Sequence, residues 1–161
     1  MSLTRNTLIL LAAGGSLALL IAAWIFQAFG WAPCQMCLWQ RWPHGAAIAL
    51  GVAALALPGR ILPLLGGLAA ATTAAIALFH TGVERKWWEG ITACASGDGI
   101  SGMSTADLLD TTREVGPPLI RCDAFDPLLF GLTMANANAL ASLALMGLWL
   151  WAARQPALTR A

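Results

Sequence analysis

Two cysteines three residues apart, Cys34 and Cys37, stand in the segment Pro33-Cys34-Gln35-Met36-Cys37-Leu38-Trp39-Gln40-Arg41-Trp42-Pro43-His44. Thiols at this spacing close a small, reducible disulfide. Pro33 suits the start of a helix, whose positive N-terminal end favours a thiolate. If that helix runs past Cys37, Arg41 falls on the same face one turn later and adds a second cationic influence. Pro43 makes the geometry conditional, because it cannot donate to a continuous helix and is equally suited to restart one. The other two cysteines, Cys94 and Cys122, lie far downstream. Taken alone they read as a static disulfide, a loop closure worth about 3 kcal/mol.

Other chemistries find less support. The chain has two histidines and no second Cys-x-x-Cys, and Cys94 and Cys122 are not spaced to complete a closed zinc site. Haem attachment through Cys-x-x-Cys-His fails at Leu38. Neither a Ser/His/Asp set nor a glycine-rich phosphate loop is present, and what remains is dithiol chemistry.

The elements that position these thiols must be membrane helices. Of 161 residues, 58% are hydrophobic and 11% charged, and the mean hydropathy of +0.70 is too high for a soluble domain. A net charge of +1 leaves no basic stripe for nucleic acid. Four uncharged runs approach the roughly 20 residues that a hydrocarbon core demands. They give expected spans at about 7–30, 40–57, 61–80 and 127–151, with loops at 31–42 and 81–126, in a single domain over 1–161. The run from Met1 to Ala23 exceeds the apolar core of a signal peptide. Tryptophans such as Trp31, Trp42, Trp87 and Trp151 gather at span ends, as an aromatic belt does. Four spans place both termini on one side. The two tails and the Pro58-Gly59-Arg60 turn carry Arg5, Arg60, Arg154 and Arg160 and no acid, so this side is expected to be cytoplasmic. All four cysteines then fall on the opposite side, where disulfides persist and two pairs can exchange.

The remaining segments fill in the site. His80, at the outer end of the third span, is expected at the depth of Cys37 and Arg41, able to donate a hydrogen bond or a proton. Gln27, near the outer end of the first span, reads mainly as an interfacial residue. In the long loop, Val83 to Glu89 is amphipathic enough to rest on the membrane surface. Ser104-Thr105-Ala106-Asp107 opens a candidate surface helix reaching Val115. In the fourth span Met134 reads as core filler, and Asn136 and Asn138 as interhelical hydrogen-bond formers. A membrane dithiol needs an acceptor for two electrons. With no flavin or nicotinamide signature, a lipid-soluble quinone is the economical choice, and Arg41 and His80 are placed to stabilise its developing charge.

The pattern Cys-x-x-Cys-x-x-Gln-Arg-x-Pro over Cys34 to Pro43 resembles the signature of the bacterial disulfide bond formation protein B (DsbB) family. So do His80-Thr81-Gly82-Val83-Glu84, Cys94, Arg121-Cys122-Asp123 and Phe130-Gly131-Leu132-Thr133-Met134. The resemblance spans essentially the whole chain. It implies an all-α membrane protein, a four-transmembrane-helix antiparallel bundle in the bacterial inner membrane, with a long periplasmic loop. It further implies an enzyme that reoxidises a periplasmic thioredoxin-like (DsbA-like) oxidase and passes electrons to ubiquinone or menaquinone. By the same resemblance Cys94 forms the mixed disulfide with that partner, Cys122 resolves with it as the second loop cysteine, and Cys34 exchanges with the loop pair. Cys37 meets the quinone as a thiolate adduct or charge-transfer complex beside Arg41, with His80 and Met134 nearby. Around Cys94 and at Glu84 to Trp88 the chain departs from the best-known members, which bears on partner choice. Two other readings are a membrane scaffold with static disulfides and a reductase of the quinone-epoxide type.

Overall fold

The computed structural model describes residues 3–91, 122–123, 127–129 and 131–156. Cys94 and the candidate surface helix lie outside the described residues. Four long helices make the framework: α1 (Arg5–Ala28), α2 (Gln35–Ala56), α3 (Ile61–Glu84) and α4 (Met134–Arg154). Helix α1 packs on α2 and α4, and α3 packs on the same two, so the helices close into a ring. Three of them, α1, α3 and α4, are long and apolar enough to cross a membrane. Helix α2 is long enough, but Gln40, Arg41 and His44 lower its apolar content.

Three of the four helices start on a side-chain cap. The Thr4 hydroxyl accepts the Thr7 amide at α1. At α4, Thr133 and Asn136 cap each other's backbone reciprocally. This box explains why the fourth helix begins at Met134 and not at Pro127 as expected. Before it, β1 (Pro127–Leu129) and β2 (Leu132–Thr133) pair as a two-stranded antiparallel ribbon, with Gly131 ahead of β2 at φ +75°. That ribbon is an exception to the all-α expectation. Helix α3 likewise runs four residues past the expected end at His80. It stops at Glu84, where Lys86 takes a φ of 58° and the chain turns back. Trp88 then donates its indole N–H to the Phe79 carbonyl and stacks on the Phe79 ring.

Helix α2 runs unbroken from Gln35 through Pro43, so the proline does not restart it. A proline here forfeits one backbone hydrogen bond. The loss is tolerated because Met36, Gln40, His44, Ala47, Gly51 and Ala54, spaced three and four apart, form one buried stripe on both sides of it.

The core of one end of the bundle is built around Trp149, with Leu8, Ile9, Ala12, Ala54, Ala70 and Leu145. Small residues let the backbones approach this ring. A Cβ at Gly66 would stand 2.7 Å from Trp149 Cδ2, and one at Gly51 would meet the Ala13 Cβ. The outward faces carry Leu10, Leu17, Ile21, Val52 and Leu68, a pattern suited to lipid. At the same end Arg5 is only 6% exposed. Its guanidinium donates to the Ala54 carbonyl at 3.0 Å and the Gly59 carbonyl at 2.9 Å. The residue counted above as a topological charge therefore also satisfies carbonyls at the end of α2 and in the turn into α3.

Replacing Gly66 by alanine is expected to destabilise the bundle by about 1–3 kcal/mol through overpacking against Trp149. Gly45→Ala, where the new methyl meets open space, should be neutral or stabilising by about 0.5–1 kcal/mol. Unfolding of both variants in mixed micelles, followed by circular dichroism, checks the contrast.

Candidate redox site

Helix α2 begins on a sulfur. Cys34 is its N-cap, with extended backbone, and its Sγ accepts the Cys37 amide at 3.3 Å. Both residues precede the expected span, which starts near residue 40. Their side chains are thiols whose sulfurs lie 2.8 Å apart in a hydrogen bond. Cys34 is buried and Cys37 is partly exposed. The shared bond separates them chemically. Hydrogen bonding to Cys34 holds the Cys37 thiol below its ordinary range, against the opposing effect of burial and with a smaller contribution from the Arg41 charge. The same bond, with burial, pushes Cys34 well up. The Cys37 sulfur is thus the readier thiolate, as nucleophilic chemistry at that atom requires.

Around the pair the described elements converge. Cys34 packs in a buried cluster with Met36, Val83 and Cys122, and Phe79 lies against it. His80 Nε2 is 3.1 Å from the Cys122 carbonyl oxygen and 3.6 Å from Cys34 Sγ. The Glu84 carboxylate is 3.8 Å from the same nitrogen and accepts the Thr133 hydroxyl at 2.6 Å. Arg41 donates to the Gln27 side-chain oxygen at 2.9 Å, which fixes the guanidinium across α1 and α2. Gln27 is therefore more than an interfacial residue.

A cavity of about 320 Å³ opens beside the thiols, lined by Cys34, Cys37, Arg41, His80 and Met134 together with the α1 residues Leu19, Ala23 and Phe26. Of the residues singled out in the sequence, these five therefore meet at one cavity. Cys122 joins them through Cys34 and His80, and Cys94 lies outside the described residues. Its size falls within the usual range of small-molecule sites, about 300–1,000 Å³.

Below the thiols runs a buried polar ladder. Asn138 donates to the Gln40 side-chain oxygen at 2.6 Å, and Gln40 donates to the Met36 carbonyl and to His80 Nδ1, each at 3.2 Å. His44 donates to Asn138 Oδ1 at 3.0 Å, while Ser142 donates to the same oxygen at 3.1 Å. Asn136 donates to the Thr81 hydroxyl at 2.6 Å, so both asparagines bond between helices as expected. Gln40, His44 and Glu84 were not singled out as site residues. The available signal was a polar side chain repeated every fourth position in α2 and α3.

Cys34, Cys37 and His80 also place three donor atoms within 4.8 Å of one another, a soft set of the kind that suits zinc. The nitrogen that would ligate, Nε2, carries the proton given to the Cys122 carbonyl.

The family model for disulfide bond formation protein DsbB matches residues 5–152. The chain belongs to the DsbB family. No curated protein and no solved structure matches it. A DsbB-family membership makes this a membrane protein of disulfide bond formation with a thiol oxidoreductase role.

In the reduced protein, Cys37 is expected to alkylate at lower pH than an ordinary thiol, while Cys34 resists. The sign follows from the hydrogen bond: Cys34→Ala removes the donor that stabilises the Cys37 thiolate, so the Cys37 midpoint should move up. Mass-spectrometric alkylation across pH 5–10 reads both midpoints.

Proposed function

We propose that this chain is an inner-membrane thiol:quinone oxidoreductase that reoxidises a periplasmic DsbA-like dithiol oxidase. Electrons pass to ubiquinone or menaquinone. The observation that carries this reading is the shared cavity, where the more acidic sulfur, Cys37, and the Arg41 guanidinium line the same wall. Family membership supports the disulfide chemistry, and the charge asymmetry of the loops supports cysteines on the periplasmic side with cytoplasmic termini. We read α2 from about residue 40 onward as the fourth span, because the helix packs within the ring between α1 and α3.

The residues present fit a quinone ring. Its walls supply a guanidinium and an apolar flank from Phe26 and Met134, and His44, another wall residue, has a buried Nδ1 without a partner among the described residues. When bound, a quinone accepts two electrons and two protons. Arg41, held by Gln27, would help hold the quinone and would balance negative charge near Cys37. His80 presents its N–H to the sulfur side of the site. Overall, the partner's two thiols become a disulfide, and its two electrons and two protons leave with the hydroquinone. Within the protein, the partner's thiolate attacks Cys94 of a Cys94–Cys122 disulfide and releases Cys122 as thiolate. The partner's second thiol then closes its own disulfide and releases Cys94. The Cys94 and Cys122 thiols pass their electron pair to the Cys34–Cys37 disulfide by exchange at Cys34, which leaves Cys37 as the thiolate. The packing of Cys122 against Cys34 supports that last exchange.

Cys37→Ser is expected to abolish quinone reduction. Cys94→Ser should block partner oxidation while leaving fast quinone chemistry at the first pair. Anaerobic mixing of purified protein, quinone and a reduced thioredoxin-like oxidase, followed at the quinone absorbance, measures both; full partner turnover by Cys94→Ser overturns the relay. Arg41→Met should raise the KM for quinone about tenfold or more, the loss expected of one charged hydrogen bond, with helical content unchanged.

A further inference from the structure

The amides of buried Gln40 and half-buried Asn138 have no counterpart in the thiol chemistry described so far, yet their hydrogen bonds leave little freedom in how they point. The Met36 carbonyl can only accept, so the side of the Gln40 amide facing it at 3.2 Å must be the NH2 group. The opposite side, Oε1, accepts from Asn138 Nδ2 at 2.6 Å. Asn138 is itself oriented, because its Oδ1 takes the Ser142 hydroxyl and the His44 N–H, at 3.1 and 3.0 Å. Thr73 closes the arrangement: its hydroxyl donates to the Gln40 backbone carbonyl at 3.2 Å and accepts from Asn138 Nδ2 at 3.3 Å. With the Gln40 NH2 group 3.2 Å from His80 Nδ1, that nitrogen has to be the acceptor. The imidazole proton is left on Nε2, where it points at the Cys122 carbonyl and lies 3.6 Å from Cys34 Sγ.

We propose that Gln40 and Asn138 are positioning residues that lock His80 in the Nε2–H tautomer, so that a fixed hydrogen-bond donor faces the junction of Cys34 and Cys122. The role given to that donor rests on the proposed thiol-exchange function; the tautomer itself does not. When the mixed disulfide between Cys34 and the loop pair is resolved, Cys34 leaves as a thiolate, and an N–H already aimed there stabilises that charge without reorganisation. A neutral histidine free in solution would populate both tautomers. In the alternative form a lone pair would face the sulfur and the Cys122 carbonyl, and repel both. The amide ladder removes that form by placing a second donor opposite Nδ1. His80 is 3% exposed, Gln40 6%, and water has little access to relax the constraint.

Nitrogen-15 NMR of the full-length protein in micelles, labelled at its two histidines, reads the tautomer directly, with His44→Gln assigning the signals. His80 is expected to be Nε2–H in the wild type. Gln40→Glu puts an acceptor opposite Nδ1 and should move the proton there, while the nearly isosteric Gln40→Leu should give a mixture. In a Cys37→Ala background, Gln40→Glu should also slow alkylation of Cys34 at fixed pH by about tenfold, the scale of one hydrogen bond to a charged group. A wild-type Nδ1–H signal, or an unchanged signal in both Gln40 variants, overturns the lock, and the wild-type spectrum needs no variant to fold. A correct tautomer with unchanged Cys34 reactivity overturns its role. If the tautomer and reactivity behave as expected but no quinone is reduced, the proposed function fails and the lock stands.

Discussion

The hydrogen bond from Asn138 to Gln40 is the contact on which the interior of this bundle depends. It joins α4 to α2 in a region where the surrounding helices present apolar faces outward, and in such a setting an unpaired amide costs several times what a paired one contributes. Once this bond is made at its oxygen, the NH2 group of Gln40 must find acceptors, and the Met36 carbonyl and His80 Nδ1 supply them. Asn138 must satisfy its own carbonyl, and Ser142 and His44 do so. The ladder therefore sets the rotation of α2 and α4 relative to α3 by polar matching, where small apolar residues alone would tolerate several registers. Packing at the opposite end is fixed differently, by the fit of the Trp149 ring against glycine backbones.

The asymmetry of the two thiols follows from where α2 starts. An N-cap side chain lies beside the amide at the third helical position, and here that residue is Cys37. A Cys-x-x-Cys motif opening a helix on its first cysteine thus brings its sulfurs together by helix geometry alone. The cap buries Cys34 against α3 and the Cys122 turn, and leaves Cys37 at the cavity. Both cysteines line the cavity, but Cys34 is buried while Cys37 is partly exposed. The proposed division between exchange at Cys34 and acceptor chemistry at Cys37 would rest on that difference, set within three residues of backbone.

Much of this was legible in the sequence, and the reasons are physical. Long uncharged runs and tryptophans at their ends are strong signals, and the helices lie close to the expected spans. The common depth of Cys37, Arg41 and His80 was also readable, since each lies near the outer end of a span, whereas Met134 read as core filler and was placed near them only by the family resemblance. Boundaries were harder. The fourth helix starts late because Thr133 and Asn136 form a capping box, a local signal masked by the apolar run before it. Pro43 was ambiguous because a proline's cost is local while the stripe that offsets it is tertiary. Glu84 looked like a loop residue by its charge, yet the Thr133 hydroxyl and the neighbourhood of His80 hold it in the buried end of α3.

The ladder was the least legible feature, and it shows what patterning leaves out. Gln40, His44 and Asn138 are each unremarkable as a single polar residue in an apolar helix. Their meaning comes from direction: which atom of each amide donates is decided only when all partners are placed, and the tautomer of His80 is the sum of those decisions. A carbonyl that cannot donate, at Met36, fixes the first amide, and every later choice follows from it. The protonation pattern at the outer sulfur site is thus determined from within the bundle, by groups that never touch the sulfurs.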